Sequence, residues 1–94
     1  MTPTELRAII VEEIGNLAPE ADAASVDGDA DLREALDLDS MDIFNLVVAL
    51  SKRLEVDIPD ADVGQLVTIG GGVSYLARAG GQIAHGRERP GDEI

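Results

Sequence analysis

The chain has 94 residues, with Lys+Arg 7 against Asp+Glu 19 and a formal net charge of −12. That length holds one small domain, and the charge opposes binding to nucleic-acid phosphates or insertion at anionic membranes. The lack of cysteine excludes disulfides, thiolate metal sites and cysteine nucleophiles together, while a hydrophobic content of 45% is too high for wholesale disorder.

The first residues, Met1-Thr2-Pro3-Thr4-Glu5, lack the basic and then apolar layout of a signal peptide. No stretch approaches the roughly 20 apolar residues of a membrane span. A cytoplasmic, monomeric acidic domain with basic protein partners is expected. Thr2 suits a helix cap, Pro3 the first helical position and Glu5 the third residue of a capping box. Leu6, Ile9, Ile10, Ile14 and Leu17 then share a stripe at helical spacing until Pro19 stops the helix. Residues 20–39 read as a long acidic connection, with Arg33 its only base. Leu32, Leu36 and Leu38 are expected to pin it to the core. Connections this long are uncommon in compact domains and are often functional.

A second helix starts sharply at Asp39-Ser40-Met41-Asp42, with Asp39 as cap and Asp42 adding favourable charge in the first turn. It is expected to run to Leu54, with Lys52 and Arg53 complementing its carbonyl end. Val56-Asp57-Ile58-Pro59 reads as extended, because the residue before proline avoids helical geometry. A short helical element follows from Asp60 to Leu66. Thr68 then caps a last helix in which Ile69, Val73, Leu76 and Ala77 share a face, and Gly80-Gly81 ends it. The fold class expected is all-α: a small antiparallel four-helix bundle of three main helices and one short one, with a long loop between helices one and two. Residues 1–80 form this domain and residues 81–94 a disordered tail.

Most candidate chemistry fails on inspection. Asp27, Asp29 and Asp31 begin like a calcium loop, but Leu32 stands where the turn needs glycine and Leu38 where the clamp needs glutamate. His85 is the only histidine and lies in the glycine-rich tail, without the partners a catalytic triad or a metal site requires. Gly70-Gly71-Gly72 is followed by no Gly-Lys-Ser/Thr element and reads as a loose first turn of the last helix. Neither a metal site nor a catalytic residue is expected. Ser40 is different: it opens a strongly capped helix directly after the acidic loop, where a phosphate on its hydroxyl would meet the positive end of the helix dipole.

Leu36-Asp37-Leu38-Asp39-Ser40-Met41-Asp42, with Ile58-Pro59-Asp60 and Thr68-Ile69-Gly70 downstream, resembles the attachment segment and later turns of acyl carrier proteins. The resemblance covers residues 3–79. It implies that Ser40 carries 4′-phosphopantetheine, taken from coenzyme A by a separate phosphopantetheinyl transferase, with Asp39 as the flanking cap. It also implies contacts with acyl-loading and acyl-transferring or condensing enzymes through Asp37, Met41, Asp42, Phe44 and Val48. On the helix, Ile43, Leu46, Val47, Leu50 and Leu54 form one buried stripe, and Met41, Phe44 and Val48 a second. Three points depart from the family: Asp37 stands where glycine is common, Asn45, Ser51, Lys52 and Arg53 stand where fatty-acid carriers bear glutamates, and Gly70-Gly71-Gly72 puts three glycines in one helical turn. The implied function is to carry acyl intermediates as thioesters for a fatty-acid, polyketide or specialised pathway. The alternatives are an aminoacyl or peptidyl carrier, or, in a different class, an unmodified acidic helical interaction domain.

Overall fold

The computed structural model describes the backbone over residues 2–88 and the side chains over residues 2–79. Helix α1 (Pro3–Leu17) starts at the capping box: Thr2 Oγ1 accepts the Glu5 N–H at 3.1 Å, and Glu5 Oε1 accepts the Thr2 N–H at 2.8 Å. The Thr2 N–H, helped by the Thr2 hydroxyl, holds the Glu5 carboxyl below its ordinary value. Leu6, Ile10 and Ile14 are buried, with Ile9 and Leu17 at the margin of the core. The helix ends at Ala18, whose N–H still reaches Ile14 O, and Pro19 prevents continuation.

The acidic connection is more ordered than a bare loop. It contains a 3₁₀ turn, Ala23–Ser25, and a one-turn helix α2, Leu32–Ala35, capped by Asp31. Four residues are too few to show an amphipathic stripe, so this helix is set by tertiary contacts. Leu32 is wholly buried and its N–H donates to Val67 O at 2.8 Å. Arg7 of α1 reaches across to donate to the Val26 carbonyl at 3.1 Å. Leu38 is buried and Leu36 half-buried, so all three leucines anchor the segment as expected.

Helix α3 (Ser40–Leu54) buries Ile43, Leu46, Val47 and Leu50. It ends through a left-handed Glu55 (φ 55°). There Val56 N–H bonds the Ser51 carbonyl and the Ser51 hydroxyl donates to the Val56 carbonyl. Arg53 is not a free base at the helix end. It bridges to Glu12 and Glu13 of α1, at 2.6 and 2.9 Å, and ties the two helices together. An extended link leads to a 3₁₀ helix, Asp60–Leu66, and then to α4 (Ile69–Glu88).

Helix α4 differs from expectation in three respects. Its buried face is Ile69, Gly72, Tyr75, Leu76 and Ala79, while Val73 is half-buried and Ala77 is exposed. The glycine triplet is a place of close approach rather than a loose turn: a Cβ on Gly71 would lie 2.5 Å from Gln65 O. Gly80-Gly81 does not end the helix, which continues to Glu88. Glycine lowers helix propensity by about 1 kcal/mol without blocking the backbone bond, and no proline intervenes before Pro90. The rest of the expected tail, residues 89–94, lies outside the described residues.

Helix α1 packs against both α3 and α4, and the 3₁₀ helix closes the side between α3 and α4. The result is the expected all-α bundle of three long helices and a short 3₁₀ helix, with the one-turn α2 added in the connection and no strand among the described residues. No helix there is long and apolar enough to cross a membrane.

Candidate functional site

Three successive residues aim the start of α3. Asp37 turns the chain through the left-handed region (φ 58°), Leu38 buries its side chain, and Asp39 emerges extended as the helix cap. Asp39 Oδ1 accepts the Asp42 N–H at 2.8 Å, and Asp42 Oδ2 accepts the Asp39 N–H at 3.2 Å. In this reciprocal box one oxygen of each aspartate is engaged with the backbone. Ser40, first residue of the helix, is left exposed, and its hydroxyl makes no hydrogen bond among the described residues. Its N–H and that of Met41 are first-turn donors without intrahelical acceptors, the ordinary setting for an anion at a helix start.

Around this point the charge is negative. Asp37 and Asp39 are exposed and Asp42 half-buried, and Asp31 caps α2 nearby in the chain. Arg33 moderates that field. Its Nε and Nη2 donate to Asp31 at 3.0 and 2.7 Å, which holds the Asp31 carboxyl below its ordinary range and raises the guanidinium above its own. Ser40 and Arg33 also line a common cleft of about 150 Å³, walled by Ile43, Val63, Gly64 and Val67.

The structure gathers Asp37, Asp39, Ser40, Met41 and Asp42 at one end of α3, while Phe44 and Val48 continue along the helix. Met41 is 64% exposed and Phe44 44%, whereas Val48 is half-buried. The second apolar stripe is therefore open at its Ser40 end and partly covered further on. Arg33 and the 3₁₀ wall of the cleft escaped the sequence reading, because they meet Ser40 only through folding. The one available signal was Arg33 as the sole base among the acids of residues 20–39.

Two of the three aspartates of the calcium-like stretch, Asp27 and Asp31, are occupied locally. Asp27 accepts the Asp29 N–H and Asp31 caps α2 and holds Arg33. Among the described residues no three carboxylates or imidazoles converge on a possible metal position. The start of α3 instead suits a phosphate ester: one exposed primary hydroxyl, unpartnered first-turn amides beside it and an adjoining cleft.

Comparison with known proteins identifies the family. The family model described as the phosphopantetheine attachment site matches residues 4–76. An acyl carrier protein of Renibacterium salmoninarum is 42% identical over 74 residues, covering 79% of this chain and 85% of its own. One from Campylobacter jejuni is 33% identical over 72 residues, covering 77% and 87%. The solved acyl carrier protein of Enterococcus faecalis shares the fold, with a TM-score of 0.70 at 24% identity, over 84% of this chain and 99% of that one. The matched segment holds the capped helix start, the cleft and nearly all of the buried core, and this chain belongs to the acyl carrier protein family: it is a carrier of acyl groups on 4′-phosphopantetheine and not an enzyme.

Proposed function

We propose that Ser40 Oγ is the attachment atom. The observation that carries this is the division of labour at the helix start: Asp39 and Asp42 make the cap between them, so Ser40 is exposed and its hydroxyl is uncommitted. A phosphopantetheinyl transferase would remove the hydroxyl proton. Ser40 Oγ would then bond to the phosphorus of coenzyme A that bears the pantetheine, breaking the pyrophosphate P–O bond and releasing adenosine 3′,5′-bisphosphate. When bound, the arm supplies a terminal thiol that holds acyl cargo as a thioester. The chain's own residues orient the helix start, present the hydroxyl and offer surface to enzymes.

That surface is the Ser40 end of α3. Asp37 and Asp42 supply charge for a basic groove, and Met41 and Phe44 supply exposed apolar area, with Val48 at the margin. In this reading the partners are the transferase and the enzymes that load, transfer or condense acyl groups in the cytoplasm, where coenzyme A is at hand. The test is mass mapping after incubation with coenzyme A and a broad-specificity transferase. A phosphopantetheine increment on the peptide containing Ser40, lost in Ser40→Ala with an unchanged circular dichroism spectrum, is the expected result. Labelling of the alanine variant would overturn the assignment.

A further inference from the structure

Arg33 has no part in the attachment chemistry above, yet it shares a cleft with Ser40. The other arginines with described side chains are engaged elsewhere. Arg7 donates to the Ala24 and Val26 carbonyls, Arg53 pairs with Glu12 and Glu13, and Arg78 reaches Gln65 and lies over the Tyr75 ring. Arg33 is therefore the one basic side chain lining the cleft beside the proposed attachment atom.

Its geometry is half-used. Asp31 takes one edge of the guanidinium through Nε and Nη2 and is itself fixed by accepting the Arg33 N–H at 2.9 Å. The Nη1 group carries no hydrogen bond among the described residues, and the side chain is half exposed. A planar fork held on one edge and open on the other is pre-organised for a second oxyanion. A phosphodiester on Ser40 would place a full negative charge beside Asp37, Asp39 and Asp42, and this open edge is the nearby means of compensating it. An exposed Arg–Asp pair has little strength of its own, so sharing the guanidinium with a phosphate carries little penalty.

We propose that Arg33 is a positioning residue for the arm: its guanidinium, oriented by Asp31, donates to the phosphodiester on Ser40 Oγ and fixes the direction in which the arm leaves the helix. The proposal rests on Ser40 being the attachment residue and deepens that assignment.

The test uses the full-length holo protein. In unsubstituted protein, the Arg33 Nε–Hε cross-peak is expected to move between the apo and holo forms. The phosphorus NMR line of the folded holo protein is expected to differ from that of the same protein unfolded in urea. Arg33→Gln should carry the line towards the unfolded position, Arg33→Lys should restore part of the difference, and Arg78→Gln should leave it in place. A phosphorus line unmoved by Arg33→Gln, together with an Arg33 cross-peak identical in apo and holo protein, would overturn the proposal. Mass mapping of the same sample separates the two assignments: an arm found away from Ser40 ends both, whereas an arm on Ser40 with these null spectra ends only that of Arg33. The cross-peak comparison needs no substitution and so does not depend on any variant folding.

Discussion

The Tyr75 hydroxyl donates to Asp62 Oδ2 at 2.7 Å, latching α4 to the 3₁₀ helix at the edge of the core. That bond, reinforced by burial and by the negative charge of Asp62, raises the phenol above its ordinary 10.0. A donated hydrogen bond to a carboxylate is lost when the donor ionises.

The sign of the pH effect follows. Because the folded state favours protonated Tyr75, its contribution to stability is fully present below pH 10 and is lost as the pH rises through the raised folded value. The chain has Tyr 1 and Trp 0, so tyrosinate absorbance reports this residue alone. Titration should give a midpoint above that of the urea-unfolded chain, and Asp62→Asn should narrow the gap, burial keeping part of it. Tyr75→Phe should lower stability by about 1 kcal/mol in urea melts.

Asp37 occupies the left-handed region with φ 58°. Aspartate tolerates this better than most residues, and glycine without strain. Asp37→Gly should therefore keep stability within about 1 kcal/mol, the relief of strain being offset by a more flexible unfolded chain. Asp37→Ile should cost about 1–2 kcal/mol. Chemical denaturation of the two variants checks both, and equal stabilities would show that the backbone relaxes at this turn.

The glycines of the helices should respond in opposite directions. A Cβ at Gly71 would meet Gln65 O at 2.5 Å and Thr68 Oγ1 at 2.8 Å, while one at Gly15 in α1 meets nothing within 4 Å. Gly71→Ala should destabilise by about 1–3 kcal/mol through overpacking. Gly15→Ala should stabilise by up to about 1 kcal/mol through helix propensity. Melting temperatures of the two variants, measured side by side, give the comparison.

Electrostatic steering should favour the Ser40 end of α3. Asp42→Asn keeps an acceptor for the Asp39 N–H while removing charge, and it should slow transferase association more than Glu55→Gln at the far end. Charges more than about 10 Å apart are largely screened at 0.1 M salt. Added salt should therefore shrink the difference, as steering requires. Stopped-flow kinetics of arm transfer would show it, and equal rates at low salt would leave Met41 and Phe44 as the main recognition surface.

Local chemistry was legible in the sequence wherever one turn of chain holds the whole cause. Thr2, Pro3 and Glu5 announce α1, and Asp39 and Asp42 announce α3, because each cap is a bond between residues three apart. The exposed Ser40 follows from the same rule. What escaped were features caused from a distance. Helix α2 depends on Leu32 bonding to Val67, Gly71 on the approach of Gln65, and Arg53 on acids forty residues earlier in the chain. The buried face of α4 also takes in Tyr75 rather than Ala77, with the Tyr75 hydroxyl bonded across to Asp62 of the 3₁₀ helix. No periodicity within a single segment contains such information.

Asp39 and Asp42 close the helix end between them, and nothing in the fold waits on the proposed attachment atom. The cap needs no arm to form, so apo and holo protein are expected to share one scaffold if Ser40 carries the arm. In that case the arm is an addition to a finished surface, and neither its arrival nor its loss asks the helices to repack.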